Sequence, residues 1–402
     1  MIDFKKVRAD FPIFKYHPDL VYLDNASTTQ KPKLVIDGIT QFYEKENANI
    51  HRGLYKIATK TSANYQTTRV KVAEFIGAGK PENIVFTSGT TEGINLVAYS
   101  FLAARLNSGD NVIISAMEHH ANLIPWQMLC KKKGAELRVI PMDKSGQLDL
   151  LTFKELLSEK TKMVAVVHIS NSLGTVNPIE EIIKAAHKFN VPVLIDGAQS
   201  VLHHEVNVKN LDCDFFAFSG HKLFGPTGVG VLYGKEEWLN EMTPFQFGGD
   251  MIKEVSFETT TFADAPQKFE AGTRNLAGVI GLGYAIDYVS NHNKTEILDY
   301  LKYLGKYAFD KLSSINDLEI FGNPNRNSNI LSFNLKNIHP HDVATFLAEE
   351  NIAVRAGHHC TQPVMDFYGI PGTIRASFTI YNSAVEVDQL VKTLKEIQKF
   401  FA

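Results

Sequence analysis

Residues 193–222 read VLIDGAQSVLHHEVNVKNLDCDFFAFSGHK. Two wholly apolar runs, 193–195 and 215–218, each end in polar groups: Asp196 after the first, Ser219-Gly220-His221-Lys222 after the second. Short, strongly apolar runs of this kind predict strands buried on both faces. Working outward, the same pattern alternates with helical periods from about residue 84 to about residue 231, with further strands expected at 84–86, 112–115, 163–168 and 229–233. Strands alternating with helices predict βα units, a largely parallel sheet and an α/β fold. One intervening helix is legible in detail. Asn177 can cap it, Pro178 suits its first position, Glu180 and Glu181 suit its positive end, and Ile179, Ile182, Ile183, Ala186 and Phe189 form one apolar stripe before Asn190 stops it.

Beyond roughly residue 290 the pattern changes to long amphipathic helices mixed with alternating strands, which predicts a second, α+β unit. Leu331, Phe333 and Leu335 alternate with polar residues as one face of a half-buried strand. The last helix carries a capping box, Ser383 with Glu386, and an apolar face of Val387, Leu390, Val391, Leu394 and Ile397. The stretch 278–290 reads as one helix that bridges the two units.

A chain of 402 residues exceeds the size at which a single core keeps growing, so two domains are expected. With 44% hydrophobic and 21% charged residues it should fold as an ordinary globular protein. The net charge of -3 leaves no basic surplus for nucleic acid or anionic lipid, so neither is an expected partner. Cys130, Cys213 and Cys360 are too few for a disulfide framework, which suits a reducing cytoplasm. Residues 1–14, MIDFKKVRADFPIF, lack the apolar run of a signal peptide, and no apolar run is long enough to span a bilayer.

Ligands of open α/β sheets sit at the carboxyl ends of the parallel strands, so the polar residues just past each run are the candidates. After 84–86 comes Thr87-Ser88-Gly89-Thr90-Thr91-Glu92-Gly93, a turn opening a helix, which either cradles a phosphate or is simply a capped helix start. Asp196 either holds a protonated pyridine nitrogen or caps the next helix. Lys222 follows a strand that should be buried; desolvation and a nearby cation would lower its pKa until the amine can condense with an aldehyde, whereas a lysine reaching solvent is the plain alternative. His119 and His120 follow the 112–115 strand as stacking or proton-moving groups, or as structural histidines. The histidine doublets match no zinc spacing. In the second unit, Arg355-Ala356-Gly357-His358-His359-Cys360 places a thiol among histidines after a strand expected at 352–354, a setting for nucleophilic duty. Cys130 and Cys213 sit in apolar patterns that suit packing. Arg375 is suited to gripping a carboxylate with two parallel hydrogen bonds.

In this order, a phosphate turn, a histidine, a strand-end aspartate and a strand-end lysine resemble fold-type I pyridoxal-phosphate enzymes of the class V aminotransferase group. The segments Met117-Glu118-His119-His120-Ala121-Asn122, Asp196-Gly197-Ala198-Gln199, Ser219-Gly220-His221-Lys222 and Arg355 to Cys360 are similar to those of group II, SufS-type, cysteine desulfurases, and the likeness runs from Val7-Arg8-Ala9-Asp10-Phe11-Pro12 to Arg375-Ala376-Ser377. The resemblance implies a large domain over residues 16–285 with a mostly parallel seven-stranded sheet, and a small domain of residues 1–15 with 286–402 that carries the cysteine loop. It implies that Lys222 carries pyridoxal 5'-phosphate and serves as acid and base, that Asp196 pairs with the pyridine nitrogen, that His119 stacks on the ring, and that Gln199 bonds the phenolic oxygen. Thr90, Thr91, Ser219 and His221 would hold the phosphate, with Thr273 supplied by the neighbouring subunit of a homodimer. Asn171, Arg375, Arg355 and His51 would bind the substrate, Asn171 also touching the cofactor, and Cys360 would take the sulfur of L-cysteine.

Two departures stand out: Arg274 follows Thr273 where relatives usually have proline, and Thr361 follows Cys360 where alanine is common. The implied activity is L-cysteine to L-alanine with the sulfur held as a persulfide, then passed to an acceptor of the SufE or SufU type for iron–sulfur cluster assembly. Selenocysteine lyase and cysteine sulfinate desulfinase would use the same cofactor site. A docking platform without catalysis is the reading from another class, against which Lys222 and Asp196 speak.

Overall fold

The computed structural model describes residues 4–322 and 328–401; Met1 to Asp3, part of the N-terminal stretch considered above, lie outside them. Seven strands form the main sheet in the spatial order Ile84–Thr87, Gly230–Gly234, Phe215–Ser219, Val193–Asp196, Thr161–Val167, Asn111–Ser115 and Glu136–Ile140. Only Gly230–Gly234 runs against its neighbours; the other pairings are parallel. The fold is therefore α/β with a mostly parallel sheet. Its central strands are buried end to end, as their apolar runs require. Glu136–Ile140 was not foreseen, because an edge strand keeps Glu136 and Val139 exposed and so lacks the apolar signature.

The helix expected after residue 177 spans Ile179–His187, with Ile179, Ile182, Ile183 and Ala186 buried as its stripe requires. Two details differ. Asn177 does not cap it; its amide donates instead to the carbonyl of Val167 at 2.8 Å, tying the helix start to a strand end. Phe189 lies past the helix and is 44% exposed, because the chain turns at Asn190 with a positive φ of 56°.

A second sheet of four antiparallel strands runs Leu318–Phe321, Ile330–Leu335, Thr373–Ser377, Arg355–Gly357. Leu331, Phe333 and Leu335 face a core shared with Leu390, Leu394 and Ile397 of the terminal helix Ala384–Phe401. The Glu386 carboxylate accepts the Ser383 N–H at 2.8 Å, one half of the capping box. The predicted 352–354 strand is split: Ile352–Ala353 pairs with Val21–Tyr22, and Arg355–Gly357 joins the second sheet, so the first half of the supposed loop is strand. Residues 276–290 form one helix, Leu276–Ser290, whose close packing needs glycine: a Cβ on Gly283 would stand 2.6 Å from Thr68 Oγ1. No helix among the described residues is long and apolar enough to cross a membrane.

Candidate active site

Because all but one strand of the main sheet point the same way, the residues that follow their carboxyl ends converge. A cavity of about 440 Å³ carries on its walls Thr90, Thr91, His119, Asn171, Asp196, Gln199, Ser219, His221 and Lys222 from the first unit, with Arg355, Cys360 and Arg375 from the second. That volume suits a small organic ligand. Two candidates lie off it. His51 lines a separate cleft with Arg274, to which it is hydrogen-bonded at 2.9 Å, and Thr273 stands on the turn beside that arginine.

Lys222 and Asp196 form the charged floor. Burial pushes the Lys222 amine down to about 8, with Asp196 opposing and Arg375 adding to the push. Asp196 is 3% exposed and does not cap the next helix, whose N-cap is Gln199; its Oδ1 accepts the Ala198 N–H at 2.9 Å. Burial raises its pKa while Lys222 counters. Gly197 beside it has no room for a side chain, since a Cβ would meet the Phe216 ring at 2.0 Å.

At one end of the cavity the Thr90 N–H and hydroxyl bond to Ser219 Oγ at 2.9 and 2.7 Å, joining the hydroxyl-rich turn to the turn that carries Lys222. A Cβ on Gly230 would come within 2.4 Å of Gly89 Cα, so only glycine lets the reversed strand pass this turn. The His221 carbonyl next to Lys222 receives the Thr29 N–H at 3.0 Å, the Thr28 and Thr29 hydroxyls at 3.2 and 3.1 Å, and Lys31 Nζ at 3.0 Å. Hydroxyls, N–H groups and the His221 ring, kept neutral by burial and by Lys222, are donors suited to a phosphate.

His119 accepts the Ala121 N–H on Nδ1 at 3.0 Å, which leaves the proton of the neutral ring on Nε2. Burial and the nearby Lys222 lower its pKa to about 4, so it faces the cavity uncharged. The preceding Glu118 is a buried hub: it accepts the Val167 N–H at 2.9 Å, the Asn122 amide at 2.6 Å and the Ser115 hydroxyl, and so joins two strand ends. Gln199 spends one amide hydrogen on the Ala26 carbonyl at 2.7 Å.

Cys360 is the exposed one of the three thiols; Cys130 and Cys213 are buried. Its carbonyl accepts the His120 N–H at 2.8 Å, and the neighbouring His359 carbonyl accepts the Asn171 amide at 2.7 Å. Both tethers come from strand ends of the main sheet. Thr361 donates its hydroxyl to the His358 carbonyl at 2.8 Å, so this departure braces the loop. Arg375 is 2% exposed, its Nη1 on the Asn171 carbonyl at 2.9 Å and its Nη2 on Ser27 Oγ at 2.7 Å. Arg375 Nε and Asn171 Oδ1 are buried without a hydrogen-bond partner among the described residues.

Sequence reasoning missed Asp24, which pairs with both Arg355 and Arg375. The available signal was the apolar Val21-Tyr22-Leu23 run ending in Asp24-Asn25-Ala26-Ser27, the same strand-then-polar pattern as at Asp196. Glu118 and the Thr28 to Lys31 segment were likewise missed.

The family model described as Aminotransferase class-V matches residues 21–390. A cysteine desulfurase of Cronobacter sakazakii is 49% identical over 399 residues, 98% of each chain. The structure superposes on the cysteine desulfurase CsdA of Escherichia coli, in its S-sulfonic acid form, with a TM-score of 0.93 at 39% identity, covering 100% of this chain and 99% of that one. An apo cysteine desulfurase of Thermococcus onnurineus NA1 gives 0.95 at 40% identity over 99% of both. The cavity with a strand-end lysine and a tethered thiol thus stands in a chain that belongs to the class-V aminotransferase family, in its cysteine desulfurase branch.

Proposed function

We propose that this chain is a pyridoxal-phosphate enzyme that converts L-cysteine to L-alanine and keeps the sulfur on Cys360 as a persulfide. The observation that carries the reading is one exposed thiol tethered at a cavity whose floor is Lys222 and Asp196. The walls fit the cofactor: donors at one end, a buried carboxylate on the floor, and the neutral His119 ring on the wall. When bound, pyridoxal phosphate supplies an aldehyde for the substrate amine and a ring that draws electrons from the α-carbon.

The side chains do the rest. Lys222 would hold the cofactor, and its amine, brought down to about 8 by burial, would take the α-proton and return a proton to the product. Asp196 would pair with the pyridine nitrogen, with His119 against the ring and Gln199 toward its oxygen, all three on the cavity wall. Thr90, Thr91, Ser219 and His221 would hold the phosphate, with Thr273 supplied by a second subunit of a homodimer. Arg375, Asn171 and Arg355 orient the substrate; His51, the fourth residue expected to bind it, stands off the cavity beside Arg274. The carbon–sulfur bond of cysteine breaks as a sulfur–sulfur bond forms to Cys360 Sγ, so cysteine and thiol become alanine and persulfide with no outside oxidant. An acceptor protein of the SufE or SufU type then takes the sulfur in the cytoplasm, for iron–sulfur cluster assembly.

The test is alanine release and persulfide mapping by mass spectrometry after incubation with cysteine. The Cys360→Ala protein should stay yellow and bind cysteine yet release almost no alanine. Substantial alanine from that variant, or a persulfide on Cys130 or Cys213, overturns the proposal. A selenocysteine lyase or sulfinate desulfinase would keep its own activity without the thiol.

A further inference from the structure

Lys222 enters the cavity from a single tight turn, Gly220–Lys222, whose own hydrogen bonding stops at the Gly220 carbonyl, the acceptor for the Leu223 and Gly225 N–H groups at 2.9 Å. The His221 carbonyl, next in line, would need the Phe224 N–H to carry the turn on. That N–H donates instead to Thr29 Oγ1 at 2.9 Å, and Phe224 has a positive φ of 60°. Among the described residues, the donors to the His221 carbonyl all come from residues 28–31. A carbonyl oxygen has two lone pairs to share among them, and a charged donor bonds most strongly. That donor is Lys31 Nζ at 3.0 Å, and the same amine donates to the Thr29 carbonyl at 2.6 Å. Lys31 thus ties the main chain of its own segment to the main chain of the Lys222 turn.

The segment that carries Lys31 is itself anchored. Gln30 N–H donates to Tyr381 Oη at 3.0 Å, Pro32 follows, and Lys33 N–H donates to the Asp10 carbonyl at 2.7 Å. Lys31 is not on the cavity wall. Burial lowers its amine to about 7, and even the neutral amine keeps two protons, enough for both carbonyls.

We propose that Lys31 is a positioning residue for Lys222: its amine fixes the His221–Lys222 peptide from behind the cavity wall, and so aims the Lys222 side chain at the cofactor aldehyde. This rests on the reading of Lys222 as the cofactor lysine. A shift of that peptide is passed along the whole lysine side chain, and a misplacement of about 1 Å can cost roughly a hundredfold in rate. The phosphate has holders of its own, so binding of the cofactor without reaction is spared.

Lys31→Met keeps the chain length and removes every donor. Apo protein is mixed with saturating pyridoxal phosphate and the visible band is followed in time; separately it is titrated with pyridoxamine phosphate, which has no aldehyde, by protein fluorescence. Lys31→Met should gain the band about tenfold more slowly, or slower still, as expected for loss of a hydrogen bond to a charged group. It should bind pyridoxamine phosphate within about threefold of the parent. Lys31→Gln, which keeps one amide donor, serves if Lys31→Met does not fold, and should show the same split at a severalfold loss of rate. A band formed at the parent rate by either folded variant overturns the role of Lys31. So does an equal loss of rate and of pyridoxamine phosphate affinity, the mark of a general structural defect. A parent protein that gains no band, or whose borohydride-reduced adduct maps to another lysine, overturns the reading of Lys222 and this inference with it.

Discussion

If the fold prepares Lys222 for covalent work, the amine must be reactive well below the pH at which ordinary lysines lose their proton. Burial brings it down to about 8. At pH 7.5 an amine with that value is about one quarter neutral, against about one in a thousand for an unperturbed lysine near 10.4, an advantage of roughly two-hundredfold. Apo protein mixed with pyridoxal phosphate in a stopped-flow spectrophotometer should therefore gain its visible band at a rate that rises with pH to about 8 and levels off above it. Asp196→Asn should move the midpoint lower, since the carboxylate is what opposes the effect of burial. The same proton governs stability. Native Lys222 releases it near 8 and the unfolded chain near 10.4, so between those values the unfolded state binds more protons and the apo protein gains stability as pH rises. Below about 8 both states are charged and the native state bears the full cost of the buried ammonium. A reconstitution rate that keeps climbing toward pH 10, with no midpoint near 8, would refute the argument.

Two further outcomes are expected. Iodoacetamide at pH 8 should label Cys360 in the folded protein and leave Cys130 and Cys213 untouched until denaturant is added, because both are buried and burial lifts Cys130 to about 11 and Cys213 higher; labelling of either at the rate of Cys360, read by peptide mapping, contradicts the packing. Glu270→Gln should cost about 3–5 kcal/mol in urea unfolding, since it leaves the buried Arg69 and Arg274 guanidiniums without their carboxylate; a loss under about 1 kcal/mol would mean the network relaxes at little cost.

The parts of this fold that could be read in sequence are those where one residue type answers one physical demand. Runs such as Phe215 to Phe218 must be buried on both faces, and a lysine or aspartate at such an end announces a site. What escaped reading are contacts made through the backbone or across long separations. Glu136–Ile140 is an edge strand with charged side chains, and Asn177, a good cap by type, is drawn to a strand carbonyl. Asp24 meets Arg355 and Arg375 more than 300 positions away, a pairing that no local pattern encodes.

The same kind of contact explains how the thiol is presented. His359 and Cys360 both have left-handed backbones, φ 52° and 58°, a conformation that costs non-glycine residues of order 1–3 kcal/mol each. Hydrogen bonds oppose that cost: the His120 N–H on the Cys360 carbonyl, the Asn171 amide on the His359 carbonyl, and His359 Nε2 with Thr373 Oγ1 at 2.8 Å. All three hold the loop by main chain or by a neighbour's ring, and none uses the sulfur. The thiol is thus fixed in place while its own lone pairs stay free, at the meeting of one sheet's strand ends with the other sheet's edge. A cysteine on a loop so short and so tethered cannot swing outward to deliver what it has taken. Under the proposed function an acceptor must bring its own nucleophile to the cavity, whose wall carries the 48% exposed side chain of Arg355.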